Sequence, residues 1–107
     1  MIHRILVARE AEGDLVDLHG WLAARESVQR ADEVLGRIQG ACAGLRRLPT
    51  RGYVTPELAR VGVFDFREVH VGPYRVIYEV GDRVVWVLAV VDGRRDIQDV
   101  LARRLLR

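Results

Sequence analysis

Three apolar-rich runs follow one another between Phe66 and Val91, separated only by Gly72-Pro73 and Gly81-Asp82. A two-residue link can join antiparallel strands, whereas parallel strands need a crossover of about a dozen residues. Phe66–Val71, Tyr74–Val80 and Arg83–Val91 are therefore expected to form an antiparallel meander with tight turns. The middle run alternates, with Tyr74, Val76, Tyr78 and Val80 on one face and Arg75, Ile77 and Glu79 on the other. The last run is almost wholly apolar from Val84 to Val91, which predicts a central strand covered on at least part of each face. His70 alternates to the side of Phe66 and Glu68. Whether that side also carries Arg75 depends on a register that the pattern leaves open.

Upstream the period changes. Residues 3–9, HRILVAR, read as a short strand. Ala11, Leu15, Leu18 and Leu22 then make one helical stripe. Ser27 is placed to cap a second helix with Ala31, Val34, Leu35, Ile38, Cys42, Leu45 and Leu48 at helical spacing, ended by Pro49 and Gly52. Gly36, Gly40 and Gly44 recur four apart in it, each costing about 1 kcal/mol against alanine. They leave two readings, a small face for close helix approach or tolerated substitutions. Residues 50–63 look irregular, with one helical turn at Glu57–Arg60. After the meander, Asp96 is expected to cap a helix over Ile97–Arg107, supported by Asp99 and burying Ile97, Val100, Leu101 and Leu105. The expected fold is α+β: a strand, an α-helical hairpin, a three-strand antiparallel meander and a C-terminal helix.

At 107 residues this is one domain, spanning 1–107, and half of the residues are apolar. No apolar run approaches the length of about 18 residues that a membrane span needs, and MIHRILVAREAEGD does not read as a secretory signal. A soluble, cytoplasmic chain is expected. Cys42 stands alone, which suits a small buried hydrophobe. His3, His19 and His70 lack metal-ligand spacing, so no metal and no cofactor are expected. Trp21 and Trp86 are expected in the core. All 17 basic residues are arginine, which a GC-rich coding bias explains most simply; it excludes lysine chemistry and leaves planar forks suited to carboxylates and phosphates.

Three segments together resemble the RelE/ParE superfamily of bacterial toxins, closer to its ParE-like branch: TPEL at 55–58, FREVHVGPYRVIYEV at 66–80 and VVDGRRDIQDVLARRLL at 90–106. The resemblance spans essentially the whole chain. It implies the toxin of a type II toxin–antitoxin system, of the kind tied to plasmid stabilization, with a cognate antitoxin whose C-terminal segment wraps it. ParE-like members inhibit DNA gyrase and cut nothing; RelE-like members act on the ribosome as mRNA endoribonucleases. A degenerate member that only partners its antitoxin is a third reading. Fold does not choose among them.

The resemblance assigns Arg75 to the scissile phosphate and Glu57 to the general base if the chain is a nuclease. The residues themselves also fit an exposed Arg75 paired with Glu68 or Glu79, and a Glu57 favoured by a helix start. RNA-cutting relatives tend to place a histidine or tyrosine where this chain has Asp92, which favours the gyrase reading. His70 is then the remaining candidate acid. Arg94 and Arg95, with Arg103 and Arg104 of the last helix, are suited to anchoring acidic side chains of an antitoxin, and Tyr53 to contacting a target. The free chain is expected to expose an apolar patch, and a homodimer is one way to cover it.

Overall fold

The computed structural model describes residues 2–94 and 97–105, apart from the side chain of Leu105. The expectations placed on Arg95, on Asp96 as a cap, on the Leu105 side chain and on Arg107 lie outside the described residues. The elements run β1 (Arg4–Val7), α1 (Arg9–Arg25), α2 (Val28–Gly44), β2 (Tyr53–Val54), α3 (Pro56–Ala59), β3 (Phe66–Val71), β4 (Tyr74–Gly81), β5 (Val84–Asp92) and α4 (Ile97–Leu105). The architecture is the expected α+β fold, with the meander enlarged into a five-stranded sheet of order β1-β5-β4-β3-β2. β1 joins parallel to β5, with Arg4 opposite Val84, and β5 is flanked on both sides as its apolar run requires.

The first tight turn places Gly72 at φ +56°, a conformation that suits glycine. The second turn lies one residue later than the Gly81-Asp82 expected. Gly81 pairs with Val84, so Asp82 and Arg83 make the turn and Arg83 takes φ 58°. Gly81 is needed for proximity instead: a Cβ there would meet Val84 Cγ1 at 2.9 Å. Along β5, Ala89 pairs with Ile77 and Val87 with Tyr78, leaving Leu88 as a bulge. Val85, Val87 and Val90 consequently face one core while Ala89 and Val91 face the other.

The first core lies under the helical hairpin. Ala11 and Leu22 of α1 and Ala31, Val34 and Ile38 of α2 meet Val69, Val71, Val76, Tyr78, Val85 and Val87 of the sheet. Ser27 caps α2 as expected, its hydroxyl accepting from Arg30 N at 2.9 Å. The helix ends at Gly44, earlier than expected, and Leu48 lies beyond it with 64% of its surface exposed. Gly36 and Gly40 face open space, so they do not form the surface on which α1 packs. The second core joins Leu58 of α3 and Ile97 and Leu101 of α4 to Phe66, Ile77, Ala89 and Val91. Both tryptophans depart from expectation: Trp21 is 52% exposed and Trp86 41% exposed. Trp21 lies on α1 with the Arg25 guanidinium over its ring at 4.9 Å, outside the buried stripe. Trp86 lies on the sheet face opposite Val85 and Val87, ahead of the bulge. Among the described residues no helix is long and apolar enough to cross a membrane.

Candidate functional site

The short strand β2 was not legible as a strand, yet it places Tyr53. Tyr78 is fully buried, and its hydroxyl accepts the Gly52 N–H at 3.1 Å. Arg67 Nη1 donates to Gly52 O at 2.8 Å. Gly52 is therefore held on both sides of its backbone, and a Cβ at that position would meet Glu68 O at 2.4 Å. The chain then pairs Tyr53 with Glu68 and Val54 with Arg67.

The register of β3 on β4 sets His70 opposite Arg75 and Glu68 opposite Ile77, which settles the open question of faces. Arg75, Glu68 and His70 share the face on which α3 packs, and α3 brings Glu57 to them. Glu57 grips Arg75 bidentately, with Nη1 donating to Oε2 at 2.8 Å and Nη2 to Oε1 at 2.7 Å. Glu68 takes Arg75 Nε at 2.8 Å and Nη2 at 2.5 Å. Four of the five guanidinium N–H groups are thus consumed within the chain. Glu68 also meets His70 Nε2 at 2.5 Å, which requires a proton on that nitrogen, since a carboxylate only accepts. The Tyr53 hydroxyl sits 2.6 Å from His70 Nε2 and 3.2 Å from Nδ1.

Arg75 is only 8% exposed and Glu68 only 1%, so this is a buried ionic network and not the exposed strand arginine that one reading allowed. The hydrogen bonds from Arg75 hold Glu57 below the usual carboxylate range, and those carboxylates hold Arg75 above the usual guanidinium range. The Tyr53 hydroxyl is raised by desolvation and by the negative charge of Glu68. The three nuclease candidates, Glu57, Arg75 and His70, do converge, beside a pocket of about 420 Å³ whose rim includes Arg60 and Arg94. Their electrostatics oppose phosphate chemistry, however. Two carboxylates surround one guanidinium, and a base whose pKa is depressed accepts protons less readily.

Arg94, Arg103 and Arg104, three of the arginines expected to anchor a partner, lie around a second cavity, of about 610 Å³, between α1 and α4 beside the end of β5. Each already has an acid from its own chain. Arg94 binds Asp92 through Nε at 3.0 Å and Nη2 at 2.6 Å. Arg103 binds Asp99 at 2.9 Å. Arg104 Nη1 and Nη2 donate to Asp14 at 2.6 and 2.7 Å, and its Nε lies 3.7 Å from Glu10. Asp14 Oδ2 also accepts the Val90 N–H at 2.9 Å, so one carboxylate ties α1, β5 and α4 together. Sequence reasoning missed this role. The signal was present as Glu10, Asp14, Asp17 and Trp21 at i, i+4, i+7 and i+11, a second stripe beside the apolar one. Among the described residues, no group of three or more His, Cys, Asp or Glu side chains could hold a metal ion.

Comparison with known proteins agrees with this architecture. No curated protein matches the chain. A solved chain described as a chromosomal ParDE TA system from P. aeruginosa superposes with a TM-score of 0.71, at 15% identity, covering 85% of this chain and 96% of that one. At that identity the likeness speaks for the fold. The family model described as ParE toxin of type II toxin-antitoxin system, parDE, matches residues 5–97, which include the sheet except Arg4, the helical hairpin and the charged network on β3 and β4. The chain belongs to the ParE toxin family of type II toxin–antitoxin systems.

Proposed function

We propose that the chain is a cytoplasmic toxin, neutralised by a cognate antitoxin, that arrests growth by binding DNA gyrase and has no catalytic site of its own. Membership of the ParE family supports the toxin role. The observation that carries the choice of mechanism is the state of Arg75. Its guanidinium is buried and held by Glu57 and Glu68 at 2.5–2.8 Å, so it is not available to stabilise charge on a phosphate. The test is induction of the chain alone, with plasmid supercoiling and transcript ends followed in the same culture, and purified gyrase assayed in parallel. Inhibited supercoiling with unchanged transcripts is the expected result. Unimpaired growth at verified protein levels would sink the toxin reading.

One observation favours a second reading, that of a ribosome-dependent mRNA endoribonuclease. Glu57, Arg75 and His70 lie in one hydrogen-bonded chain with Tyr53, so a base, a cation and an acid are at hand if a substrate displaced Glu57. New codon-phased transcript ends in the wild type, absent with Arg75→Ala and with His70→Ala, would establish it and overturn the gyrase reading.

A further inference from the structure

The cavity between α1 and α4 has no part in the charged network on β3 and β4. Its α1 wall carries the Glu10–Asp14–Asp17–Trp21 stripe, and its floor includes Leu18 and Tyr74. Charge decides what it can receive. Arg94, Arg103 and Arg104 each sit with a carboxylate of their own chain, which cancels most of the field they present. Among the described residues Asp17 has no such partner. Among the described residues that line the cavity, Asp17 is a carboxylate with no guanidinium against it, so it presents a negative charge on the α1 wall. Trp21 stands next to Asp17 on the helix, and Arg25 over its ring shows that the indole face accepts a guanidinium. Strand addition to the end of β5 is hindered, because Asp14 already occupies the Val90 N–H.

On the reading of this chain as one half of a toxin–antitoxin pair, we propose that the α1–α4 groove is the docking site of the antitoxin, and that the docking segment sets an arginine or lysine against Asp17 and an apolar side chain against Trp21. This reverses the charge pattern expected from the arginine-rich sequence. An acidic segment would meet guanidiniums whose charge Asp92, Asp99 and Asp14 already offset, and would face Asp17 unpaired. A basic segment meets at Asp17 a carboxylate that, among the described residues, has no internal partner, and leaves every internal pair intact.

The experiment uses the full chain and the polypeptide encoded by the adjacent reading frame, purified separately and titrated calorimetrically at low and high salt. Asp17→Arg and Trp21→Ala should each weaken binding about tenfold or more, and the Asp17→Arg effect should shrink as salt rises. Arg94→Glu should leave the affinity unchanged or improve it. All three positions are exposed, so an unchanged melting temperature separates a lost contact from a lost fold. Unchanged or tighter binding by Asp17→Arg, or strong loss with Arg94→Glu, overturns the groove assignment and points to an acidic segment on the arginines. Self-association of the free chain that Trp21→Ala abolishes, with partner affinity unaltered, overturns it in favour of a second copy of the chain. Absence of binding by the unsubstituted chain instead overturns the pairing on which the proposal rests.

Discussion

Arg75 has two carboxylates, and each is the reserve of the other. Removing both should therefore destabilise the protein by more than the sum of the single losses. Glu57 is partly exposed, with 21% of its side chain in contact with solvent, and in Glu57→Gln the guanidinium keeps Glu68, so the loss should be about 1 kcal/mol. Glu68→Gln acts in a buried site. The amide can still accept from Arg75, but its NH₂ must face either a second Arg75 donor or the His70 Nε2 proton, for about 2–3 kcal/mol. In the double variant the buried guanidinium has no anion, a situation that costs about 3–5 kcal/mol for the last partner alone. The expected total is about 5–6 kcal/mol against an additive sum of about 3–4 kcal/mol. Urea unfolding followed by far-UV circular dichroism should show the excess as a midpoint roughly 1 M lower than additivity gives, at a typical slope for a small domain. Additivity within about 0.5 kcal/mol would mean that Arg75 rehydrates freely, and the argument against its use of phosphate would fall with it.

Other expectations follow from single contacts. Because Arg75 lowers the Glu57 pKa, that pair stabilises the fold above about pH 4.3, the ordinary glutamate value, and the contribution is lost as pH falls through the folded value; urea midpoints measured between about pH 6 and pH 3 should decline less steeply in Glu57→Gln than in the wild type. Gly52→Ala drives a Cβ into Glu68 O and the Tyr78 hydroxyl and should cost about 3 kcal/mol, read as a melting temperature lower by roughly 10–20 °C. Asp14→Ala should remove about 2–3 kcal/mol by freeing α4 from α1 and orphaning the Val90 N–H, and a double-mutant cycle with Arg104→Met should give a clearly non-zero coupling. Burial raises the Cys42 thiol above its ordinary value, so a disulfide reagent at pH 8 should modify it far more slowly in the native chain than in urea.

The sheet and the helical hairpin were legible because their signals are periodic and local. The alternation of Tyr74–Val80 and the leucine stripe of α1 each specify one face, and the structure buries those faces. What escaped detection depends on longer-range pairing. β2 is two residues long, held by Gly52, Arg67 and Tyr78 from elsewhere in the chain, and two residues carry no period. The bulge at Leu88 reverses the phase of β5, which an unbroken apolar run conceals. Leu48 fits a helical stripe that the helix never reaches, and the tryptophans look like core residues because type alone says nothing of position. Of the site, Arg75 and Glu57 could be named from the resemblance and His70 from its strand. Their union had to wait for the register that sets His70 opposite Arg75.

The parallel pairing of β1 with β5 also bears on when the fold can exist. Arg4 must find Val84, eighty residues later in the chain. At about 5–20 residues per second, β1 waits roughly 4–16 s on the ribosome before its partner is made. The α1–α2 hairpin and the β3–β4 pair rest on local contacts and can form as they emerge, whereas β1, the α1 packing on β5 and the Asp14 tie to α4 are all closed by the last quarter of the sequence. Assembly thus waits for the synthesis of β5 and α4. A nascent chain halted before β5 carries both helices and the β3–β4 pair but lacks the central strand that joins that pair to β1, so the synthesis of β5, and not the start of translation, marks the moment at which the complete sheet can first exist.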